Sequence, residues 1–265
     1  YPYVWGFAAA TIEEALILRK EGVKKPILIL GFVFPDAYED VVRYDIRPAV
    51  FKLSMARQLS EEAVRQQKTV HVHIKVDTGM SRIGFADTAE SADIVKEISG
   101  LPNLETEGLF THFARADERD KTAANEQLRR YRRFSKLLED RQVPIRYHHC
   151  SNSAGIYDMK DANMDIVRAG ISIYGMYPSD EVNKMAAPLA PVMSLKSHIV
   201  FIKELQPGAA ISYGGTYVAD HEMKVATIPV GYGDGYPRAL SGKGRVLIRG
   251  CRAPILGRIC MDQFM

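Results

Sequence analysis

Two cations, an acid and two glycines stand together in residues 75–85 (KVDTGMSRIGF), directly after an alternating strand pattern. The side chain of Arg82 could bind an anionic group, because a guanidinium donates charge-assisted hydrogen bonds in a fork that matches carboxylates and phosphates. Gly79 and Gly84 would permit tight backbone turns around that group. An exposed ion pair in a loop between a strand and a helix explains the same residues equally well, so this stretch alone does not establish a binding site.

Small hydrogen-bonding residues follow another strand pattern in residues 148–155 (HHCSNSAG). Backbone N–H groups and hydroxyls of this kind can surround a phosphate, and the N-terminus of a following helix adds its dipole. Residues 165–171 (DIVRAGI) add a cation, Arg168, and a glycine. His148 and His149 could suggest a metal, but no set of Asp, Glu or Cys with ligand spacing accompanies them. The predicted chemistry here is therefore phosphate binding without a metal.

Three further residues could handle protons or stack on a ring. His112 ends the strand pattern before the sequence THF, and Tyr213 and Tyr232 stand among glycines in ISYGGTY and VGYGDGY. A lone histidine at a strand end is more often a hydrogen-bonded structural residue than a catalytic one. Hairpin turns with packed aromatic rings are the simplest interpretation of the tyrosines. None of these motifs is decisive by itself.

The elements that must position these residues alternate between strands and helices in the first two thirds of the chain. Strand patterns lie at residues 4–8, 27–32, 47–51, 70–76, 105–112, 147–151 and 167–174. Helical patterns lie at residues 11–19, 60–67, 89–98 and 125–141. This alternation predicts a parallel sheet with helical crossovers, and we count roughly seven of the eight strands of a (β/α)8 TIM-type barrel. We expect the first strand of the barrel to precede Tyr1, and the catalytic groups to lie at the carboxyl ends of the strands.

Two of the helical patterns carry specific signals. Thr11 with Glu14 has the spacing of a capping box. The helix at residues 125–141 places four residues on one apolar stripe, and its arginine-rich stretch (RRYRRF) is interpreted as the solvated face. The members of the stripe are Leu128, Tyr131, Phe134 and Leu138.

The pattern changes after about residue 190. Short β-type runs lie at residues 192–201, 224–230, 245–249 and 254–260, and glycine- and proline-containing turns separate them. No amphipathic stretch of helix length remains, so these runs predict an antiparallel β domain. We therefore divide the chain into a barrel domain, residues 1–189, and a β domain, residues 190–265. Because the sequence stops at Met265 within an apolar-rich run, we expect the β domain to be incomplete.

Composition excludes several classes of protein. The chain has 265 residues, of which 46% are hydrophobic and 25% charged, as in ordinary globular proteins. A net charge of +3 is too small to indicate a nucleic-acid partner. The apolar run at residues 26–34 is too short to cross a bilayer, so no membrane association is predicted. Three cysteines without a CxxC pair fit reduced thiols and a cytoplasmic location.

Taken together and in order, the motifs resemble the alanine racemase family, which combines a pyridoxal-phosphate-binding barrel with a β domain. The matching stretches are KVDTGMSRIGF, THFARAD, HHCSNSAG, VRAGISIYG, ISYGGTY, VGYGDGYPR and GRICMDQF. The resemblance implies an isomerase that interconverts L-alanine and D-alanine by two-base proton transfer at Cα and supplies D-alanine for peptidoglycan. It also implies a homodimer whose subunits share their active sites.

The resemblance assigns the proton chemistry to three residues. Tyr213 is implied to be one of the two bases and to serve the active site of the other subunit, through a chain in which it contacts His112 and His112 contacts Arg168. Arg168 is implied to face the pyridine nitrogen of the cofactor. Because an arginine does not give up its proton, the ring nitrogen stays unprotonated, which favours return of the proton to Cα over transamination.

Binding roles also follow from the resemblance. Four positions match the cradle of the cofactor phosphate, the last two through backbone N–H groups: Asn152, Ser153, Gly170 and Ile171. Arg82 matches the residue that binds the substrate carboxylate and the phenolic oxygen of the cofactor, and Met261 matches a second substrate contact through its backbone. Tyr232 resembles a tyrosine of the entrance channel. Lys75 matches a lysine that is often carbamylated in this family, where the carbamate would hold Arg82.

One departure from the family pattern bears on activity. The family attaches its cofactor to a lysine in a Lys-Ala-Asn-Ala-Tyr-Gly-like motif at the end of the first barrel strand, and no match to this motif occurs in the sequence. The resemblance also implies a C-terminal tyrosine at the phosphate, for which no match is found. We therefore expect the 265-residue chain by itself to be inactive or nearly so.

Three alternatives remain open at this stage. A serine or broad-specificity amino-acid racemase would share these motifs, because nothing in the sequence measures the pocket for the substrate side chain. A decarboxylase of the same architecture is disfavoured, since such enzymes place an acid at the position of Arg168. A barrel that carries pyridoxal phosphate without turnover would lack the β domain with Tyr213.

Overall fold

The computed structural model describes residues 3–265, and this part of the chain forms two units. The first unit ends at Val192 and the second comprises Met193–Met265. The division falls three residues beyond the one expected from the sequence, which lies between residues 189 and 190.

A parallel sheet forms the centre of the first unit. Its strands follow one another in the order β1-β2-β3-β4-β6-β7, and every pairing is parallel. The short strand β5 pairs with the end of β4. The strands are β1 (Phe7–Ala9), β2 (Ile27–Ile29), β3 (Arg47–Val50), β4 (Val70–Asp77), β5 (Phe85–Ala86), β6 (Leu104–Phe110) and β7 (Tyr147–His149). The predicted arrangement of a (β/α) barrel is confirmed.

One pairing in this sheet is irregular. Val72 of β4 lies opposite Thr106 of β6, whereas the next residue, His73, lies opposite Gly108. Glu107 is therefore an extra residue in β6, a β-bulge of a kind that is rare in parallel pairs. Bulges of this type change the direction of a side chain relative to the regular strand.

Helices form the crossovers between successive strands, and a last helix follows β7. They are α1 (Ile12–Lys20), α2 (Tyr38–Arg43), α3 (Leu53–Arg65), α4 (Ala89–Ser99), α5 (Thr122–Asp140) and α6 (Ser153–Asp158). The predicted cap of α1 is confirmed, since Thr11 Oγ1 accepts a hydrogen bond from the Glu14 N–H at 3.5 Å. All four residues of the predicted apolar stripe of α5 are buried in the core. On the opposite face, Arg130 and Arg133 both pair with Asp87.

The strand predicted at residues 167–174 is wrong. A short 3-10 helix, Ile171–Tyr174, occupies its second half, between Gly170 and Gly175. The first half still runs beside β7, because the Arg168 N–H donates to the Ser151 carbonyl at 3.0 Å. Gly175 has a φ of +78°, and a Cβ there would overlap the Ala190 carbonyl, so the chain turns back where an extended strand would continue.

The second unit consists of three antiparallel strand pairs, which confirms the predicted β domain. Its strands are β8 (Phe201–Leu205), β9 (Ala210–Ile211), β10 (Tyr217–Val218), β11 (Met223–Thr227), β12 (Arg245–Ile248) and β13 (Cys251–Pro254). The pairs are β8 with β11, β9 with β10 and β12 with β13.

Two strand predictions in this unit are wrong in their bounds. Pairing begins only at Phe201, opposite Thr227, and the preceding apolar residues 192–200 are largely exposed. The run at residues 254–260 is not extended, because Gly257 turns the chain with a φ of +68°. Ile255 and Ile259 instead pack in a small apolar core.

Two further properties bear on the predicted cellular context. All three cysteines are free thiols, with Cys150 buried and Cys251 exposed. Along the described part of the chain, no α-helix combines the length and apolar character needed to cross a bilayer.

Candidate active site

The parallel sheet brings the predicted site residues of the first unit to one edge. Lys75 lies near the carboxyl end of β4, His112 follows β6 and Asn152 follows β7. Because the carboxyl ends of parallel strands meet at the same edge, these residues surround one location, as they do in barrel enzymes.

Arg168 is held rigidly at this edge by the chain itself. Nη1 donates to His149 Nδ1 at 2.7 Å and to the His149 carbonyl at 3.0 Å, and Nη2 donates to the carbonyls of Thr111 and Cys150 at 2.7 and 3.0 Å. These bonds use all four terminal N–H groups of the guanidinium. The fifth donor, Nε, is buried and has no partner among the described residues. Burial lowers the pKa of Arg168 to about 10, so the side chain remains a cation at neutral pH.

The contact between His112 and Arg168 that the resemblance implies is not among these hydrogen bonds. The histidine ring that is hydrogen-bonded to the Arg168 guanidinium is that of His149. His112 is half-buried, and burial together with the positive charges of Arg168, Lys75 and Arg82 lowers its pKa to about 3. The imidazole is therefore neutral at physiological pH.

The predicted phosphate residues form a connected group. The Ser153 hydroxyl accepts hydrogen bonds from the N–H groups of Gly170 and Ser172 at 2.9 and 3.4 Å. Asn152 caps α6 by accepting from the Gly155 N–H at 3.1 Å. The Ser172 hydroxyl is buried without a partner in the described part of the molecule, whereas Ile171 beside it is exposed.

Lys75 is an ionisable group that the protein keeps away from water. Its side chain is buried and its Nζ lies 4.5 Å from the centre of the Phe110 ring. Burial, with the nearby charges of Arg168 and Arg82, lowers the pKa of Lys75 to about 7. A large fraction of this amine is therefore an unprotonated nucleophile near neutral pH.

The predicted residues of the second unit are exposed, and two of them are neighbours. The Met261 carbonyl accepts a hydrogen bond from the Gly233 N–H at 2.8 Å, directly after Tyr232. Tyr213 leaves 69% of its surface accessible. The residue before it, Ser212, has a φ of +64° and anchors the turn by donating to the Arg258 carbonyl at 2.6 Å.

The unpaired groups of the first unit suit one kind of ligand. Arg168 Nε offers a buried donor to a ring acceptor, and the unpartnered Ser172 hydroxyl lies beside the serine and glycine of the cradle. Pyridoxal phosphate carries both a pyridine nitrogen and a phosphate. Such a site in a (β/α) barrel that is followed by a β domain is typical of one class of pyridoxal-phosphate-dependent enzymes.

Comparison with known proteins gives the family. The family model for the N-terminal domain of alanine racemase matches residues 3–178, and the model for its C-terminal domain matches residues 192–265. The chain belongs to the alanine racemase family, whose members are pyridoxal-phosphate-dependent isomerases.

Several alanine racemases resemble the chain in sequence, and several solved structures resemble its fold. Alanine racemase from Clostridium novyi is 45% identical over 97% of the chain and 67% of that protein. The structure of alanine racemase from Clostridium difficile 630 has a TM-score of 0.92 at 41% identity and covers 98% of the chain and 68% of its own. Histidine racemase from Leuconostoc mesenteroides has a TM-score of 0.89 at 32% identity, covering 99% and 70%. The chain thus spans about two thirds of these proteins.

Several residues of the site escaped the sequence analysis. His149 was considered only as a metal ligand, and Ser172 was not considered although it follows directly in the VRAGIS stretch. His73 and Glu107 lie within predicted strands, and neither is among the predicted site residues. Polar residues at alternate positions of a buried strand, as in VHVHIKV, are the signal that could have pointed to His73.

Proposed function

We propose that the protein interconverts L-alanine and D-alanine with pyridoxal phosphate in the site built around Arg168. The observation that carries the proposal is the buried Nε donor of that guanidinium, which has no hydrogen-bond partner among the described residues while the other four donors are paired. When bound, the cofactor withdraws electrons from Cα of the substrate, so that the Cα hydrogen leaves as a proton. A guanidinium cannot transfer its proton to the pyridine nitrogen, which favours return of the proton to Cα.

Tyr213 and His112 carry the proton chemistry in this proposal. A free phenol titrates near 10, so a phenol that serves as a base near neutral pH needs positive charge close by. In this proposal Tyr213 acts beside His112 of the other subunit, which lies among the positive charges of Arg168, Lys75 and Arg82. A neutral His112 can also accept a hydrogen bond from the phenol. The exposure of Tyr213 supports its donation to the site of a second subunit, and we propose a homodimer with shared sites.

The remaining assignments concern binding. The cofactor phosphate is held by Asn152, Ser153, Gly170 and Ile171. Arg82, which is exposed in the loop after β4, and the backbone of Met261 bind the substrate, and Tyr232 lines the entrance. We assign cofactor binding to residues 1–189 and the β domain to residues 190–265. Free thiols in all three cysteines support a cytoplasmic location.

Alanine is the expected substrate because the two alanine racemases reported above are 45% and 41% identical to the chain, whereas the histidine racemase of similar fold is 32% identical. In the holoenzyme, which combines this chain with the cofactor lysine of the family, we expect kcat/KM for L-alanine to exceed that for L-serine and L-histidine by about 10-fold or more. Formation of the D-enantiomer from each amino acid measures this. The 265-residue chain with added cofactor is the control and should convert little or no alanine.

Two outcomes would contradict this proposal. Faster turnover of serine or histidine would assign a different substrate to the site. Cofactor binding by the holoenzyme without racemisation of any amino acid would indicate a barrel that carries pyridoxal phosphate without catalysis.

We also propose that Lys75 is carbamylated. A buried amine with a pKa of about 7 is partly unprotonated near neutrality and can attack carbon dioxide, and the negative carbamate would lie among the charges of Arg168 and Arg82. Protein equilibrated with ¹³C-bicarbonate should show one carbamate signal whose intensity rises as the pH increases through about 7. The signal should be absent in Lys75→Met and present in Lys52→Met, since Lys52 is exposed. An unchanged signal in Lys75→Met would refute this assignment.

A further inference from the structure

A line of buried polar side chains connects Arg168 to the interior of the sheet. From Arg168, hydrogen bonds run from Nη1 to His149 Nδ1 at 2.7 Å and from His149 Nε2 to His73 Nδ1 at 2.8 Å. They continue from His73 Nε2 to Glu107 Oε2 at 3.2 Å, which also accepts from Arg47 Nε at 3.1 Å. All residues beyond Arg168 are buried, and they come from four different strands, β7, β4, β6 and β3. We call this set the Arg168–Glu107 relay.

The geometry allows only one arrangement of protons in the relay. Arginine has donors but no acceptor, so His149 Nδ1 must accept and its proton must be on Nε2. That proton can be donated only to His73 Nδ1, so His73 also carries its proton on Nε2 and donates it to Glu107. A doubly protonated His73 would present a second donor to His149 Nε2, which has no free lone pair. Both imidazoles are therefore neutral Nε2–H tautomers, and Glu107 is the terminal acceptor.

The surroundings support this arrangement. Burial lowers the pKa of both His73 and His149, which favours their neutral forms. Burial alone would raise the pKa of Glu107, but hydrogen bonding from His73 and the charge of Arg47 lower it below its usual value. The His73 ring also lies directly against Gly108, where any Cβ would overlap it, so the ring has a fixed position.

We propose that Glu107 is a positioning residue for the reaction: through His73 it sets the tautomer of His149, and His149 then holds Arg168 so that Nε–H faces the cofactor ring. This inference rests on the proposed function for its effect on catalysis. The relay itself is a statement about side chains of this chain and can be tested separately. If His149 carried its proton on Nδ1, two donors would face each other, and the guanidinium would have to rotate away from its present position.

Nuclear magnetic resonance tests the proton arrangement directly. Long-range ¹H–¹⁵N spectra of the holoenzyme, labelled with ¹⁵N-histidine, distinguish the two neutral tautomers from each other and from the imidazolium form. The variants His73→Gln and His149→Gln assign the two signals among those of the other histidines. We expect the Nε2–H pattern for both rings, and an Nδ1–H pattern or an imidazolium at either position would overturn the proposal.

Two variants of similar size test the connection to catalysis. Glu107→Gln retains an oxygen that can accept from His73, whereas Glu107→Met offers only a weakly accepting thioether sulfur. We expect Glu107→Met to lower kcat about 10- to 100-fold with little change in KM for alanine, since a small misplacement of a positioned group has effects of this size. Glu107→Gln should retain most of the activity and the Nε2–H pattern of His149.

The results separate this inference from the proposed function. Equal kinetic loss in both variants, or full activity in Glu107→Met, would overturn the positioning role. If Glu107→Met does not fold, the wild-type tautomers and the activity of Glu107→Gln still test the positioning role of Glu107. Absence of racemisation in the holoenzyme, with the expected tautomers present, would contradict the proposed function and leave the relay intact.

Discussion

The variant Tyr213→Phe should racemise alanine about 10²- to 10⁴-fold more slowly than the wild-type holoenzyme, which is the usual contribution of a positioned proton-transfer group. The substitution removes only the hydroxyl, and the ring stays on its turn between Ser212 and Gly214. Because one base serves each face of the substrate, we expect the loss to be unequal for the two directions of proton removal. Exchange of the Cα hydrogen for deuterium should nearly disappear for one enantiomer and persist for the other.

Tyr217→Phe is the matched control for this experiment. Tyr217 lies in the same stretch, four positions further along, and packs against the apolar cluster of Ile211, Val225 and Leu256. Loss of its hydroxyl should leave the exchange of both enantiomers near the wild-type rate. Comparable exchange of both enantiomers in Tyr213→Phe would show that the phenol is not a base, and the assignment of Tyr213 would then be wrong.

The variant Lys75→Met should increase the stability of the protein against unfolding in buffer free of carbon dioxide. Folding lowers the pKa of Lys75 from 10.5 to about 7, mainly through burial. This difference corresponds to a destabilisation on the order of 5 kcal/mol when the amine is protonated in both states. Methionine has a similar shape, carries no charge and packs well against aromatic rings such as Phe110.

The stability difference between Lys75→Met and the wild type should depend on pH in one direction. Below about pH 7 the amine is charged in the folded and the unfolded chain, so the full cost of burying the charge is present. As the pH rises from about 7 to 10.5, the folded amine is neutral while the unfolded amine is still charged, and wild-type stability increases. The advantage of Lys75→Met should therefore be largest in acidic buffer and should decrease as the pH rises through this range.

Urea unfolding at several pH values, followed by circular dichroism, measures this difference. Lys52→Met is a suitable control, because Lys52 is exposed and lies 5.8 Å from the Phe32 ring. Its effect should be within about 0.5 kcal/mol, as for most surface substitutions. A Lys75→Met variant that is no more stable than the wild type in acidic buffer would show that the buried amine does not carry this cost.

Much of the fold could be predicted from local patterns. The spacing of Thr11 and Glu14 identified the start of α1, and the apolar stripe of α5 identified its buried face. The strand at residues 167–174 could not be excluded in the same way, because its β-branched and aromatic residues favour extended backbone. The turn at Gly170 and Gly175 and the side-chain hydrogen bonds of Arg168 prevailed over that propensity. Tertiary contacts of this kind leave no local signal.

The candidate site shows a similar limit. Motifs at and beside strand ends were sufficient to predict that Arg168, Ser153 and Lys75 lie at one edge of the sheet, because parallel strands end at a common edge. The partners that hold Arg168 lie on different strands, far apart in sequence: Glu107 and His73 are 34 positions apart, and His73 and His149 are 76 apart. A strand pattern predicts which elements exist but not which side chains meet across the sheet.

The bulge in β6 bears on how tolerant this part of the barrel is to changes in chain length. Glu107 stands between the residues that face Val72 and His73 and has no counterpart of its own on β4. A chain shortened by this one residue could still form every backbone pair of the two strands, but no carboxylate would reach the imidazoles. Deletion of Glu107 would therefore remove the carboxylate while the pairing of β4 with β6 is kept. The bulge is the feature that lets the sheet hold a charged side chain at its centre.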